Sequence, residues 1–114
     1  MKRGSVVTVA LQGDNGKPRP ALVIQSDRFE DISSRVVLLP MTSDLLGVSR
    51  IRYTVEPRSS NGLRTRSQVM IDRVSTAKRE KIGRVIGSLR PSEMREIGQS
   101  LAFVLGLADK SDPE

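Results

Sequence analysis

Short apolar runs separated by turn-forming segments fill the chain as far as Leu89, and this pattern limits its fold more than any other feature. Gly4–Leu11 is rich in β-branched residues, and Arg19–Ser26 has a centre that is apolar on both faces. A third run, Arg35–Thr42, is apolar almost throughout. Runs of this length between turn residues predict short strands, and apolar residues on both faces predict that these strands are deeply buried.

The strand pattern continues with weaker signals. Ile51–Glu56 alternates between apolar and polar residues, which predicts a strand with one face in water. Ser67–Ser75 is predicted to be a fifth strand, and Ile82–Ile86 has the composition of a sixth. The segment Pro57–Arg66 is basic and contains the turn-forming pair Asn61-Gly62, so it is predicted to be a loop.

The hydrophobic period changes after Pro91, a residue suited to the first turn of a helix. Apolar residues then recur at helical spacing, which predicts an amphipathic helix of roughly 15 residues. They are Met94, Ile97, Leu101, Val104 and Leu105. The sequence therefore predicts one domain over residues 1–108, mainly β with a C-terminal helix, built as a small, strongly bent sheet or barrel. Residues 109–114 are predicted to form a flexible tail.

Composition excludes several classes of chemistry. With no cysteine and no histidine among its 114 residues, the chain cannot form disulfides, thiolate zinc sites or a serine–histidine pair. Its acidic residues are scattered and it has no G-x-x-x-x-G-K-[ST] motif, so neither a metal nor another cofactor is expected. No apolar run approaches the roughly 20 residues of a membrane-spanning helix. The first residues do not resemble a secretory signal, and the expected location is the cytoplasm.

The net charge of +6 is concentrated in the middle of the chain. Between Arg50 and Arg90 there are eleven Lys or Arg residues and three Asp or Glu residues. Such a segment indicates either a polyanionic partner or a surface kept soluble by its charge. Aromatic residues, on which bases stack, make up only 3% of the chain. If the partner is a nucleic acid, phosphate contacts and hydrogen bonds are expected to dominate.

One reaction needs none of the excluded groups, because RNA carries its own nucleophile in the 2′-hydroxyl. An enzyme that uses it must align the 2′-oxygen with the leaving oxygen and stabilise the charge that develops on the phosphorus oxygens. Arg19 lies between Pro18 and Pro20 at the start of a buried strand, which gives its guanidinium a stiff base. Thr42 ends the next strand and would lie beside Arg19 if the two strands pair. The alternative is that Arg19 only protects a strand edge and Thr42 only begins a turn.

The order of several segments resembles that of the MazF/PemK toxins, the endoribonuclease components of type II toxin–antitoxin systems. The matching segments are KRGSVVTVAL, GKPRPALVIQS, VVLLPMTS, NGL, SQVMIDRVST and KIGRVIGSL, followed by the closing helix. The resemblance implies a small SH3-like barrel of the CcdB/Kid/MazF type that forms a homodimer. It also implies metal-independent, sequence-specific cleavage of single-stranded RNA to 2′,3′-cyclic phosphate and 5′-hydroxyl ends. The implied inhibitor is a cognate antitoxin with an acidic, partly disordered tail.

The same resemblance implies that Arg19 and Thr42 are the catalytic pair. Arg19 would bind the scissile phosphate, and Thr42 would donate a hydrogen bond to one of its oxygens. Asp72 would contact RNA or orient Arg19, unless it only pairs with a nearby arginine. Further substrate contacts are expected at positions that flank the pair or lie in the Asp72 segment. The candidate substrate-binding residues are Lys17, Ser43, Gln68 and Asp72.

Two other functions stay open at this point. A gyrase-inhibiting toxin of the CcdB type would share the fold and act by binding a protein, although the tail DKSDPE lacks the aromatic end that such toxins often have. A non-catalytic module would bind nucleic acid through phosphate contacts alone, and composition does not distinguish such a module from an enzyme.

Overall fold

Seven antiparallel strands and one α-helix form the framework of residues 1–108, the part of the chain that the computed structural model describes. The strands are β1 (Ser5–Val9), β2 (Arg19–Val23), β3 (Arg35–Thr42), β4 (Arg52–Val55), β5 (Ser67–Met70), β6 (Ser75–Lys78) and β7 (Ile82–Ser88), and the helix is α1 (Pro91–Val104). The prediction of a mainly β fold with a C-terminal helix is confirmed. The predicted tail, residues 109–114, lies outside the described residues.

β3 is the centre of the sheet, in which hydrogen-bonded neighbours follow the order β4-β5-β3-β2-β1-β7. One edge of β3 pairs with β2 through Leu38–Pro40. The other edge pairs with β5 through Met41–Thr42 and with β6 through Arg35–Leu38. Among the described residues, β4 and β7 at the two ends of this order do not pair, so hydrogen bonds do not close the sheet.

The prediction of a single fifth strand over Ser67–Ser75 is wrong in one respect. The structure divides this segment between two strands. β5 ends at Met70, the chain turns through 71–74, and β6 begins at Ser75. The Arg73 N–H donates to the Met70 carbonyl within this turn. Ile71 is fully buried although it lies outside the strand. The apolar pattern therefore continues through the turn, which is why the sequence indicates a single strand.

The strands β1, β2 and β3 bury both of their faces, as their apolar runs predict. Successive side chains of a strand point to opposite faces, and alternate residues here enter two separate apolar clusters. The larger cluster includes Val6, Leu22, Leu39 and Met41, and the smaller includes Val7, Ala21, Val23 and Leu38. Packing on both faces leaves β2 and β3 little freedom, so the residues at their ends are held in fixed positions.

Helix α1 covers the larger cluster. Ile97 is fully buried, and Met94, Leu101 and Val104 pack against the same cluster. Pro91 occupies the first turn, as predicted, and Gly106 adopts a φ of +75° just after the last turn. Within residues 1–108, no helix has the length and apolar character needed to cross a membrane.

Two polar contacts tie α1 to the rest of the domain. The Arg58 guanidinium lies 2.7 Å from the Glu93 carboxylate, and both side chains are largely buried. The Tyr53 hydroxyl donates a hydrogen bond to Glu96. Burial, together with this hydrogen bond, raises the pKa of Tyr53 well above its usual range. Tyr53 therefore stays protonated and remains a donor at neutral pH.

The loop Pro57–Arg66, predicted from its turn residues, is folded around one buried amide. The Asn61 side chain is fully buried, and its Oδ1 accepts hydrogen bonds from the N–H groups of Arg58 at 3.1 Å and Leu63 at 3.0 Å. Its Nδ2 donates to the Glu56 carbonyl at 2.9 Å. One side chain thus satisfies three backbone polar groups of the loop and its start.

The tip of this loop is pressed against β7. Gly62 has a φ of +72°, and a Cβ at this position would lie 2.1 Å from the Ile86 carbonyl oxygen. From the other side, a Cβ at Gly87 would lie 2.3 Å from the carbonyl carbon of Asn61. Two glycines therefore allow a close backbone approach that fixes the loop on the sheet.

Candidate active site

Arg19 is the first residue of β2 and projects from the edge of the buried sheet. Its backbone is held between Pro18 and Pro20, and it pairs with Val9 of β1. The side chain is 57% exposed, so the guanidinium is accessible to a ligand. The stiff base that the sequence predicts for this cation therefore exists.

Thr42 comes next to Arg19 through the register of β2 and β3. Ala21 pairs with Pro40, and the same antiparallel register carried two residues further puts Arg19 opposite Thr42. Side chains two residues apart lie on the same face of a strand, and residues directly opposite have Cβ atoms about 5 Å apart. The sequence predicted that Arg19 and Thr42 would lie side by side if their strands pair, and β2 and β3 do pair.

Arg19 and Thr42 line one pocket of about 440 Å³. It contains two further arginines, and within residues 1–108 no acidic or aromatic side chain lines it. Its lining residues are Thr8, Pro18, Arg19, Pro20, Met41, Thr42, Ser43, Gly62, Leu63, Arg64, Thr65, Ser67, Arg84 and Ile86. A pocket that combines three guanidinium groups with several hydroxyls suits an anion with many oxygen acceptors.

The Thr42 hydroxyl is available as a donor. Its Oγ1 accepts a hydrogen bond from the Asp44 N–H at 3.0 Å, which holds the oxygen in place as the chain leaves β3. Within residues 1–108 the hydroxyl proton of Thr42 has no acceptor, so it can be donated to a ligand in the pocket. The interpretation of Thr42 as a turn residue and its interpretation as a ligand donor are therefore compatible.

Asp14 is the carboxylate that contacts Arg19. Its Oδ1 lies 3.3 Å from the Arg19 Nε, and its Oδ2 accepts a hydrogen bond from the Leu11 N–H at 3.0 Å. The Lys17 N–H donates to the Asp14 carbonyl, which closes the β1–β2 loop around this acid. Because the ion pair uses Nε, the two terminal amino groups of Arg19 remain for a bidentate contact with a phosphate.

The four predicted substrate-binding residues do not all reach the pocket. Ser43 lines it. Lys17 is exposed and adjoins Pro18 at the rim, but it is not among the lining residues. Asp72 is exposed in the turn after β5 and forms no ion pair within residues 1–108. The suggestion that Asp72 orients Arg19 is thus corrected, since Asp14 has that position. An RNA contact of Asp72 stays a prediction.

Gln68 is occupied by contacts within the protein. It is only 4% exposed, and its Oε1 accepts from the Leu46 N–H and from the Arg52 guanidinium, both at 3.0 Å. Its Nε2 donates to the Leu46 carbonyl at 2.9 Å and to the Thr54 hydroxyl at 3.2 Å. All four hydrogen-bonding positions of the amide are used. Gln68 therefore anchors the loop after β3, away from the pocket, and a substrate contact at Gln68 stays a prediction.

Two cations of the pocket were not predicted from the sequence. Arg64 and Arg84 lie 20 residues apart in sequence and share the pocket with Arg19. The basic excess between Arg50 and Arg90 indicated either a polyanionic partner or a surface kept soluble by its charge. It did not show which of the eleven basic residues of that segment point toward Arg19, because this depends on the packing of the loop onto β7.

Comparison with known families accounts for this combination of fold and pocket. The family model of the PemK-like, MazF-like toxins of type II toxin–antitoxin systems matches residues 2–105. The chain belongs to this family. A relative within PemK/MazF, named probable endoribonuclease MazF of Mycolicibacterium smegmatis, is 38% identical over 109 residues, which cover 95% of this chain and 99% of the relative.

Solved structures show the PemK/MazF fold directly. The Mycobacterium tuberculosis toxin MazF-mt6 superposes with a TM-score of 0.77 at 23% identity, covering 90% of this chain and 97% of that one. An endoribonuclease from a mycobacterial species, in complex with its cognate antitoxin, superposes with a TM-score of 0.79 at 23% identity, covering 94% and 96%. The predicted toxin-type SH3-like fold is confirmed, with the difference that the sheet stays open between β4 and β7.

Membership of the PemK/MazF family also bears on the choice among the three functions that the sequence left open. The family match favours a toxin of the PemK/MazF type over a toxin of the CcdB type and over a module outside toxin–antitoxin systems.

Proposed function

We propose that this chain is the toxin of a type II toxin–antitoxin pair and that it cuts single-stranded RNA at specific sequences without a metal ion. The observation that carries the proposal is the pocket in which Arg19 and Thr42 lie on neighbouring strands, with two more arginines and, in the described part of the chain, no lining carboxylate. Family membership and the 38% identical relative named as an endoribonuclease support the reaction class.

In the proposed reaction the RNA supplies the nucleophile. The 2′-oxygen forms a bond to the adjacent phosphorus as the bond from phosphorus to the 5′-oxygen breaks. The 2′-hydroxyl loses its proton and the departing 5′-oxygen gains one, which leaves a 2′,3′-cyclic phosphate and a 5′-hydroxyl. Arg19 binds two non-bridging oxygens and offsets the extra negative charge of the transition state, while Thr42 donates a hydrogen bond to one of them.

Arg19 is not assigned as the group that takes the 2′-proton. A guanidinium holds its proton firmly and is therefore a poor base near neutral pH. Its contribution is to hold the phosphate in line and to neutralise charge. Lys17 and Ser43 adjoin the pair and contact neighbouring parts of the substrate in this scheme, and Asp72 and Gln68 complete the set of predicted RNA contacts.

The proposed partners follow from the family. The antitoxin has an acidic, partly disordered tail whose charge complements the basic segment between Arg50 and Arg90. A structural neighbour described as an endoribonuclease with its cognate antitoxin supports this pairing. The functional unit is a homodimer, and because its substrate is cellular RNA, its site of action is the cytoplasm.

The proposal is tested with purified protein and a mixed-sequence RNA in EDTA. We expect cleavage at a small set of sequences, with cyclic phosphate on one side of each cut and a 5′-hydroxyl on the other. A single 2′-deoxy substitution at a cut site should block that cut and leave neighbouring cuts unaffected. Cleavage that stops in EDTA, or that persists at the deoxy position, would contradict the metal-free 2′-hydroxyl mechanism.

The ion pair between Asp14 and Arg19 gives a second prediction. Asp14→Asn keeps the shape of the side chain and removes its charge, so the Arg19 guanidinium loses the carboxylate that fixes its Nε. We expect kcat to fall about 10- to 100-fold through misplacement of the guanidinium. Stability should change by about 1 kcal/mol, because the Arg19 end of the pair is 57% exposed and solvent screens its charge.

The matched control for this variant is Asp31→Asn, an exposed carboxylate that is not among the pocket-lining residues. It should leave kcat unchanged. A wild-type kcat for Asp14→Asn would show that Arg19 needs no carboxylate to hold it.

A further inference from the structure

Two arginines other than Arg19 line the pocket, and we infer that they bind the phosphates that flank the scissile one in the RNA. They are Arg64, in the loop Pro57–Arg66, and Arg84, in β7. The inference rests on the proposed function, since it assigns a further part of the same substrate. Under this inference, the affinity for RNA depends on contacts to at least two neighbouring phosphodiesters in addition to the one that is cut.

Arg84 belongs to an irregularity in the pairing of β1 with β7. Gly83 and Arg84 together lie opposite the single residue Thr8. Two residues opposite one define a β-bulge, a feature that redirects side chains and is common beside active sites. The Thr8 Oγ1 accepts a hydrogen bond from the Arg84 N–H at 3.0 Å, and a Cβ at Gly83 would lie 2.5 Å from that oxygen. The backbone that carries Arg84 is therefore fixed at the wall of the pocket.

Arg64 is held by the loop that packs on β7. It directly follows Leu63, which is buried in the larger apolar cluster and whose N–H donates to Asn61. Gly62, on the other side of Leu63, lies against the Ile86 carbonyl. The base of Arg64 is thus anchored although the residue itself is exposed. Arg19, Arg64 and Arg84 approach the pocket from β2, the loop and β7.

The charges of Arg64 and Arg84 are not compensated within the described part of the chain. Residues 1–108 contain four ion pairs, and neither arginine takes part in one. By contrast, Arg58 and Arg66, from the same loop, pair with Glu93 and Glu56. Three like charges around one pocket repel one another, and a bound polyanion relieves this repulsion.

The other lining groups indicate phosphates and not bases as the ligands. The polar lining residues besides the arginines are the hydroxyl side chains of Thr8, Thr42, Ser43, Thr65 and Ser67. No aromatic side chain lines the pocket, so it offers no platform on which a base would stack. Guanidinium and hydroxyl donors without a stacking surface complement phosphate oxygens.

The salt dependence of binding tests the inference. The probe is a single-stranded DNA copy of an RNA that the wild-type protein cuts, which binds without being cleaved. Its Kd is measured over a series of NaCl concentrations for wild type, Arg64→Ala, Arg84→Ala and the control Arg66→Ala. Arg66 is a matched control because it lies in the same loop, loses the same charge and pairs with Glu56 outside the pocket lining.

We expect each pocket variant to lower the slope of log Kd against log salt by about 0.7, the value for one phosphate contact on a single strand. Arg66→Ala should keep the wild-type slope. Arg64→Lys and Arg84→Lys retain the positive charge and should therefore restore the wild-type slope. This result would separate the loss of a phosphate contact from damage to the fold. The sequence of the cut sites in RNA should be the same in all variants.

Two results would overturn the inference: a wild-type slope for both pocket alanine variants, or a change in the cut sequence, which would show that the arginines read base edges. Failure of the proposed function is distinguishable, because the wild-type protein itself would then leave RNA uncut.

Discussion

Arg19→Ala is expected to abolish most RNA cleavage, with kcat lower by about 10²–10³-fold, while the protein stays folded. The guanidinium is the group best placed to offset the charge that forms on the phosphorus oxygens, and its side chain is 57% exposed, so truncation leaves no cavity in either apolar cluster. Single-turnover cleavage of a defined RNA measures the effect on the chemical step, and circular dichroism checks the fold.

Two variants make this experiment specific. Arg66→Ala removes the same charge outside the pocket and should cut RNA at the wild-type rate. Arg19→Lys keeps a positive charge but lacks the planar fork that grips two oxygens, so it should recover only part of the lost activity. Cleavage by Arg19→Ala at the wild-type rate would show that another cation, such as Arg84, performs this task.

Gly62→Ala is expected to produce the largest loss of stability of any single methyl addition in the loop, about 2–5 kcal/mol. The new Cβ would lie 2.1 Å from the Ile86 carbonyl oxygen, on a backbone whose φ of +72° already disfavours alanine. Neither backbone can give way cheaply, because Asn61 holds the loop and β7 is paired with β1. Urea unfolding followed by far-ultraviolet circular dichroism measures the change.

Gly106→Ala is the matched control for the steric part of this effect. Gly106 has nearly the same φ, +75°, but among residues 1–108 no heavy atom outside its chain neighbours lies within 4 Å of the position its Cβ would take. Its substitution should cost only the conformational penalty, about 1–2 kcal/mol. Equal losses for the two variants would mean that the loop moves away from β7 without cost, and that its close packing does not stabilise the pocket.

The framework could be predicted from the sequence because its physical signals are local. Burial on both faces makes β1, β2 and β3 continuous apolar runs, and the change to helical spacing after Pro91 marks α1. The division of Ser67–Ser75 into β5 and β6 escaped prediction because Ile71 is as buried in the turn as a strand residue would be. Burial pattern and backbone conformation diverge at that point, and only the burial pattern is visible in a sequence.

The candidate site was predictable where it depends on strand pairing and unpredictable where it depends on packing between distant segments. Arg19 and Thr42 meet through the simple register of β2 and β3. Asp14, Arg64 and Arg84 join them through a closed turn, a loop folded on a buried amide and a β-bulge. A charge count shows that such cations exist, but not which of them converge.

The pocket draws its walls from both ends of the domain, with Thr8 in the first strand and Arg84 in the last. A polypeptide still being synthesised therefore lacks one wall until β7 has emerged from the ribosome. A ribonuclease assembled in this way has no completed active site while its own messenger RNA is being translated. Under the proposed function, the order in which the walls are made delays RNA cleavage until β7 has left the ribosome, when an antitoxin can first bind the finished surface.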